Sequence, residues 1–420
     1  MRAQAGLRTL HAMNAITDLL PVSPRLLAAA PHRLLFFVGA TNVLAAMLWW
    51  ALWLHQARFG GIGLGQPPVF AGWAHAFVMQ YQVLPPFIFG FLLTVFPRWM
   101  GQPDLTPWHY LPVGLGLFSG QLLFLIGLFG HPHLAHLGVI NTLAGWIAGC
   151  VFLFGPLRRD RLKTWHSVSA YAALLLGLAG LVLFAIHLHT GDPALAIAMV
   201  KLGTFGLLLP IYVTVAHRMF PFFAGVVVRG YAGWRSLGWL LAFWVCTLTH
   251  LALELMQANT WLWLADLPLA TLATYWLWRN WPRGGMPPLL RVLFIGFAWL
   301  PAAMLLYAGQ SLTLLLTDAA VLGRAPAHAL YVGYFGSLLV AMVTRVTQGH
   351  SGRPLQLGTV AAIAFVLIQC VAVLRIVAEL VPDRMLWQAI AACAWLLAFL
   401  PWVLRSVFIY TTPRADAKPG

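Results

Sequence analysis

Charged residues are scarce in this sequence. Only 8% of its 420 residues are Asp, Glu, Lys or Arg, whereas a soluble globular domain carries about 25%. Four cysteines in a chain of this length exclude a disulfide-rich secreted scaffold. The sequence has no C-x-x-C-H motif, which excludes covalently attached haem, and it has no Walker, H-E-x-x-H or EF-hand motif. The chain therefore lacks the signatures of a soluble enzyme, and no catalytic residue is assigned.

Apolar residues make up 61% of the chain and occur in long runs. The hydrocarbon core of a bilayer is about 30 Å thick, so a helix that spans it needs roughly 20 apolar residues. Twelve stretches reach this length and predict an all-α polytopic membrane protein with about 12 transmembrane helices. They run approximately from Leu34 to Gln56, Trp73 to Pro97, Tyr110 to Phe129, Leu134 to Pro156, Trp165 to His187, Ala194 to Met219, Arg235 to Gln257, Trp261 to Trp281, Leu289 to Leu316, Pro326 to Thr347, Gly358 to Val381 and Met385 to Tyr410.

The distribution of positive charge predicts the orientation of these helices. The formal net charge is +15, but most Lys and Arg lie in short segments between apolar runs, so the charge does not indicate nucleic-acid binding. Nineteen of the 25 Lys and Arg residues fall in the two tails and the even-to-odd loops, against three in the odd-to-even loops. Positive residues stay on the cytoplasmic side. We therefore expect a cytoplasmic tail over residues 1–33, one transmembrane domain over 34–410 and a cytoplasmic tail over 411–420.

Several ionisable residues lie inside the predicted spans, toward their outer ends. An ionisable side chain in a span costs about 2.5 to 3.5 kcal/mol on insertion scales, so it usually faces a polar cavity or a partner. Their similar depth predicts one polar or cofactor-filled region that opens outward. The alternative is that they are helix-end residues that reach the interface, which applies most to Glu379 and Asp266. The residues are Lys201, Glu254, Asp266, Arg375 and Glu379.

Two histidines, His75 and His328, each lie about one turn inside the outer end of a long span, within an Ala-His-Ala tripeptide. Small neighbours leave room beside the ring, and imidazole is the usual axial ligand of b-type haem. The alternative is hydrogen bonding between helices. Other outer histidines, including His187 and His250, are candidate ligands for copper or zinc, or histidines that bind nothing.

The inner ends of the second, sixth and tenth spans share a different pattern, in which an Arg accompanies a Pro or Gly that ends the helix. The residues are Arg98 with Pro97, Arg218 with Pro221, and Arg345 followed by Gly349, His350, Gly352 and Arg353. Arg at a cytoplasmic helix end is expected from the topology alone. The glycines of the third segment also permit a tight turn that presents backbone N–H groups to an anion.

Taken together, these segments resemble the NnrS family of bacterial inner-membrane proteins. The match is carried by G-F-L-L-T-x-x-P-x-W-x-G over residues 90–101, R-x-x-P-x-F over 218–223, and the run from His328 to Pro354 that contains M-x-T-R-V-T-x-G-H-S-G-R-P. The resemblance implies haem, copper and a role in defence against nitric oxide and nitrosative stress. The matched positions are His75, Arg218, His328, Arg345, His350 and Arg353, with His187 a looser match.

One departure from the family pattern concerns the start of the second span. The family has H-A-H-E-M there, whereas this chain reads His75-Ala76-Phe77-Val78-Met79. A second His and a Glu are missing, which puts a copper site in doubt.

The chain is also loosely similar to the twelve-span catalytic subunit of haem-copper oxidases, in which His on the second and tenth spans ligate a haem near the outer side. The copper-binding histidines of that subunit are not matched, because the seventh span has only His250. Oxygen reduction at a binuclear centre is therefore not expected.

The leading hypothesis is a haem-binding protein of the bacterial cytoplasmic membrane that acts in nitric oxide stress. It predicts haem b held by His75 and His328, with a quinol or redox protein as electron donor and nitric oxide as ligand or substrate. Arg345 and Arg353 are the additional cofactor-binding residues that the resemblance implies. Glu254, Lys201 and Arg375 would serve cavity polarity, proton supply or pairing with the haem propionates, which are anions and pair well with Arg. The alternatives are a 12-helix transporter without a cofactor, and a partner or sensor subunit without chemistry of its own.

Overall fold

The apolar stretches form helices, because inside a bilayer every backbone N–H and C=O must be satisfied within the protein. The computed structural model describes residues 22–416, and this part of the chain contains helices and no strand. Twelve long helices, here α1 to α12, coincide with the twelve predicted spans. They are Pro31–Phe59, Ala71–Trp99, Pro107–Gly127, Pro132–Arg159, Trp165–Thr190, Pro193–Val227, Leu237–Leu255, Trp263–Asn280, Pro288–Thr317, Ala325–His350, Gly358–Val377 and Arg384–Tyr410.

Eleven of these helices are long and apolar enough to cross a membrane, by length and composition. The remaining one is α8, an 18-residue helix with Asp266 in its first turn and Pro268 inside it. Two short 3₁₀ helices, Pro24–Ala29 and Asn259–Trp261, complete the described elements. The fold is that of an all-helical, multi-pass membrane protein.

The two ends of the described chain meet. The backbone N–H of Ser23 donates to the carbonyl of Thr411 (2.8 Å). Arg33, which is 5% exposed, donates through Nη1 to the carbonyls of Tyr410 (3.1 Å) and Thr412 (2.9 Å). Both ends therefore lie on one face, called here the terminal face. Residues 1–21 and 417–420 of the predicted tails lie outside the described residues.

Helices α2, α6 and α10 each contain one π-helical segment. The segments are Val78–Val83, Leu202–Leu208 and Ala329–Gly336. In α2 and α6 a proline lies two residues after the segment, Pro85 (followed by Pro86) and Pro210, and its missing N–H removes a bond of the regular α pattern. Such segments reorient the side chains around them and are frequent at functional sites.

The third residue of each π segment joins one hydrogen-bonded group, called here the central triad: Gln80, Thr204 and Tyr331. Gln80 Nε2 donates to Thr204 Oγ1 (3.0 Å) and to the Tyr331 hydroxyl (2.8 Å). The hydroxyls of Thr204 and Tyr331 also hydrogen-bond to each other. The triad ties α2, α6 and α10 together in the middle of the protein.

Candidate functional site

A cavity of about 360 Å³ lies between the halves of α2, α6 and α10 that are remote from the terminal face. Helix α1 starts at the terminal face, so the N-terminal half of α2, which contributes residues 72–84, lies toward the opposite face. The wall is largely apolar and aromatic, as in most cofactor pockets. Its aromatic residues include Trp50, Trp73, Phe205, Tyr331 and Trp395. The central triad forms part of the wall.

His75 of α2 and His328 of α10 both line this cavity. The ring of His75 stacks on Trp50, with centroids 4.3 Å apart and planes inclined by 12°. No described residue hydrogen-bonds to the His75 ring nitrogens. His328 Nδ1 lies 2.9 Å from the carbonyl of Arg324. Since a carbonyl only accepts, Nδ1 carries the proton and Nε2 keeps its lone pair.

The Nε2 atom of His328 is met by a cationic group. Arg375 Nη2 lies 3.1 Å from this nitrogen and 3.0 Å from Glu379 Oε1. The backbone N–H of Arg324 donates to the other carboxylate oxygen of Glu379 (3.4 Å). Arg324 and Arg375 both line the cavity. The Glu379 carboxylate is bound by the Arg375 guanidinium and by the backbone N–H of Arg324.

A second polar group enters the cavity from α6 and α7. Lys201 Nζ lies 2.5 Å from Glu254 Oε1, and both residues line the cavity. Behind them, His250 Nε2 lies 3.6 Å from Glu254 Oε2, and His250 Nδ1 lies 2.6 Å from Asp266 Oδ1. The side chains of His250 and Asp266 are 0% exposed. His250 and Glu254 face the same way because they are four residues apart on α7.

The ionisable residues that the sequence placed at similar depth therefore surround one cavity. Lys201, Glu254 and Arg375 line it directly. Asp266 and Glu379 act as partners of lining residues or of His250, rather than as residues that reach the interface.

The other predicted metal ligands do not join His75 and His328. His187 Nδ1 lies 2.7 Å from the carbonyl of Asp192, and its ring packs edge-on against Trp73, which separates it from the cavity. Both ring nitrogens of His250 lie next to carboxylates. Within residues 22–416 no group of three or more His, Cys, Asp or Glu side chains is arranged to hold a metal ion. A copper site stays a prediction.

The matched residues at the inner helix ends lie at the terminal face, remote from the cavity. Arg345 is seventeen residues after His328 on α10, which corresponds to roughly 25 Å along the axis. Its guanidinium lies over the Phe223 ring (4.7 Å). Arg353 Nη2 donates to Thr412 Oγ1 (3.4 Å). The structure thus separates Arg345 and Arg353 from the two histidines with which the sequence had grouped them, because the length of α10 lies between.

Arg353 is part of a cationic group at that face. Burial, together with the neighbouring Arg405 and Arg33, lowers the pKa of the Arg353 guanidinium. His350 packs against His32 with ring centroids 4.4 Å apart. These residues connect α1, α10 and the C-terminal end of α12.

Arg218 belongs to a chain of hydrogen bonds at the terminal face, in which each group donates to the next. Its guanidinium lies over Trp99 (4.6 Å), and its Nη1 lies 3.5 Å from His166 Nδ1. His166 Nε2 is 2.9 Å from His217 Nδ1, and His217 Nε2 is 3.1 Å from the carbonyl of Ser236. Because Arg only donates and a carbonyl only accepts, each histidine accepts at Nδ1 and donates at Nε2. This chain joins α5, α6 and the start of α7.

Sequence reasoning missed the central triad, Arg324 and Trp50. A signal for two triad members was available: Gln80 and Thr204 each lie six residues before a proline, Pro86 and Pro210, inside a long apolar span. A polar residue that close to a break in the helical hydrogen bonding is a candidate for a π segment. Tyr331 has no proline behind it, and nothing in its local sequence distinguishes it.

Comparison with known proteins assigns the chain to a family. No curated protein matches it. The family model described as NnrS protein matches residues 26–414, nearly the whole chain. This protein therefore belongs to the NnrS family.

Proposed function

We propose that this NnrS-family protein binds a b-type haem in the cavity, where His75 and His328 would hold its iron, and that it acts in defence against nitric oxide stress. The observation that carries the proposal is that two histidines from separate helices line one cavity whose wall is mainly apolar and aromatic and also includes the cationic side chains of Lys201, Arg324 and Arg375. Its volume of about 360 Å³ falls in the range of cofactor pockets, roughly 300–1,000 Å³.

The residues around the histidines fit this role. A metal-binding histidine usually donates its second ring N–H to a carbonyl or carboxylate, which sets the tautomer and the ring orientation. His328 has this arrangement through the carbonyl of Arg324. The stack on Trp50 holds the His75 ring in place. A bound haem would supply one-electron redox chemistry and an iron able to bind a diatomic gas.

The cationic side chains that line the cavity are suited to bind the propionates, the anionic groups at the edge of a haem. Arg375 donates to His328 Nε2 and to Glu379, so ligation by Nε2 requires that this guanidinium turn away from the ring. A propionate would accept its donors in a charge-assisted hydrogen bond. Arg324 and Lys201 line the same cavity. On this proposal Arg375, which the sequence had already linked to the propionates, holds them together with Arg324, and Arg345 and Arg353 lie outside the cavity lining.

We further propose that the terminal face is cytoplasmic in a bacterial inner membrane, so that the cavity lies toward the outer side. The concentration of Lys and Arg in the tails and even-to-odd loops supports this orientation. A quinol or a redox protein would then supply electrons.

The test is a reduced-minus-oxidised spectrum with metal analysis of the protein purified in mild detergent. Wild type, His75→Ala and His328→Ala are compared with His189→Ala, an exposed histidine at the same side of the membrane. We expect a b-type spectrum in wild type and His189→Ala, its loss in the other two, and a spectral change when nitric oxide is added. A folded wild-type protein without a Soret band would refute the proposal and favour the transporter without a cofactor.

A further inference from the structure

A second space, called here the apolar pocket, lies between the same three central helices on the terminal side of the cavity. It measures about 70 Å³. Its lining comes from α2, α6 and α10, with Phe36 from α1. The first residue that lines the pocket is Phe87 on α2, Ile211 on α6 and Leu338 on α10.

The lining of the apolar pocket is hydrocarbon and aromatic. None of its fifteen lining residues, all within the described chain, carries a charge, and the Tyr212 hydroxyl is the one side-chain oxygen among them. A water molecule in a protein interior needs two to four polar partners, and apolar cavities stay dry and bind xenon or small apolar molecules. The volume exceeds the roughly 10–15 Å³ that one water-sized molecule needs. It is far below the roughly 300 Å³ at which ordinary ligand pockets begin. Size and chemistry together select an uncharged molecule of a few atoms.

The apolar pocket and the cavity are separated by less than one helical turn. On α2 the cavity ends at Leu84 and the pocket starts at Phe87; on α6 these residues are Leu208 and Ile211. Three residues of an α-helix correspond to about 4.5 Å along the axis. On α10 the cavity reaches Gly336, which has no side chain. A small molecule in the pocket therefore lies next to the floor of the cavity.

We infer that the apolar pocket binds an uncharged diatomic gas and supplies it to the cavity from the membrane interior. An apolar gas enters hydrocarbon readily and loses no hydrogen bonds when it enters a dry pocket. Ions and polar solutes are excluded, because the pocket offers them no compensating partners. Binding in the pocket does not depend on haem, whereas supply to a haem rests on the proposed function.

The first experiment uses xenon as the probe. Crystals of the full-length protein are pressurised with xenon, and anomalous difference maps locate the bound atoms. We expect a xenon peak among Phe87, Ile211 and Leu338 in the wild type. A map with no peak in the apolar pocket, at a pressure that fills sites elsewhere in the protein, would overturn the inference.

Two variants test that the peak reports this pocket. Val343 lines it and is 5% exposed, so Val343→Phe puts a larger ring into the space and should abolish the peak. Val245 is 57% exposed on the outside of α7, so Val245→Phe is the same change without an effect on the pocket and should retain it. Retention of the peak in Val343→Phe would contradict the assignment. Ala216→Leu, at a lining residue of α6, provides a second filled variant if Val343→Phe does not fold.

A second measurement addresses supply to the cavity. In the haem-loaded protein, recombination of carbon monoxide after flash photolysis should be slower in Val343→Phe than in Val245→Phe. Equal rates would refute the supply role. A protein that binds xenon but no haem would refute the proposed function and leave the gas pocket in place, whereas haem without xenon would refute the pocket alone.

Discussion

The ion pair between Lys201 and Glu254 should respond unequally when its two members are neutralised separately. The Nζ–Oε1 distance is 2.5 Å, and the side chain of Glu254 is 3% exposed while that of Lys201 is 32% exposed. Loss of one partner of a buried pair costs about 3–5 kcal/mol, because the other charge is left buried without compensation. Lys201→Met leaves the carboxylate of Glu254 in that situation. Because His250 still lies 3.6 Å away, we expect the low end, about 3 kcal/mol.

The reverse change is expected to cost less. Glu254→Gln leaves an ammonium group that reaches the cavity, and the amide oxygen still accepts its hydrogen bond. We therefore expect Glu254→Gln to lower the free energy of unfolding by about 1 kcal/mol, which is typical of one weakened hydrogen bond. The double variant leaves no unpaired charge, so its cost should fall short of the sum of the single costs by about 1–3 kcal/mol.

The assay is denaturant-induced unfolding of the four proteins in one detergent, followed by far-ultraviolet circular dichroism. The control is the same double-mutant cycle on Arg58 and Asp383, whose side chains are 42% and 39% exposed and whose coupling energy should be smaller, about 0.2–1 kcal/mol. Equal costs for the two single Lys201 and Glu254 variants, or additivity within about 0.5 kcal/mol, would refute the asymmetric burial.

Three further predictions concern the core, the membrane surface and a helix contact. Tyr331→Phe should lower stability by about 1–3 kcal/mol, because the central triad loses two hydrogen bonds; unfolding of this variant against wild type measures it, and no change would argue against the triad. Asp383→Asn should lower the melting temperature near neutral pH, because Arg58 and the backbone N–H of the next turn hold the pKa of the Asp383 carboxyl below its usual range. The stability that the wild type gains from the ionised carboxyl is fully present above the pKa of about 3.9 that Asp has in an unfolded chain. It is lost as the pH falls through the lower pKa of Asp383 in the folded protein, so the melting temperatures of wild type and variant should converge at decreasing pH. Gly138→Leu should separate α3 from α4, since a Cβ at Gly138 would lie 2.4 Å from the backbone nitrogen of Phe124; a folded variant with unchanged melting temperature would contradict this packing.

The helices themselves could be predicted from the sequence because the bilayer leaves few alternatives. A span of about 20 apolar residues with internally satisfied hydrogen bonds has to be a helix, and each predicted span coincides with one. The predicted eighth span, with Asp266 and Pro268, is also the helix that falls short of the criteria for crossing. The ends moved by a few residues where tertiary contacts intervene. Helix α1 starts at Pro31 rather than Leu34, and Arg33 packs against the C-terminal end of α12.

The depth of the site residues also followed from the sequence, since position along a span is position across the membrane. The sequence placed five ionisable residues at a similar depth, and three of them, Lys201, Glu254 and Arg375, line one cavity. His75 and His328, each placed about one turn inside the outer end of its span, line the same cavity. The same reasoning applied to Arg345 and Arg353 would have kept them apart from that cavity, because α10 has a fixed rise per residue.

What only the tertiary structure decided is which side chains at one depth face one another. The pairing of His250 with Asp266, and of Arg375 with His328, depends on how α7 packs on α8 and α11 on α10. The rotation of a helix about its own axis is set by packing against its neighbours. These spans are apolar on every face, so their sequences have no amphipathic pattern from which that rotation could be predicted. The three π segments add a local change of rotation that brings Gln80, Thr204 and Tyr331 together. The cavity and the apolar pocket exist because of those rotations, so composition and spacing indicated that a site was present, and packing determined its shape.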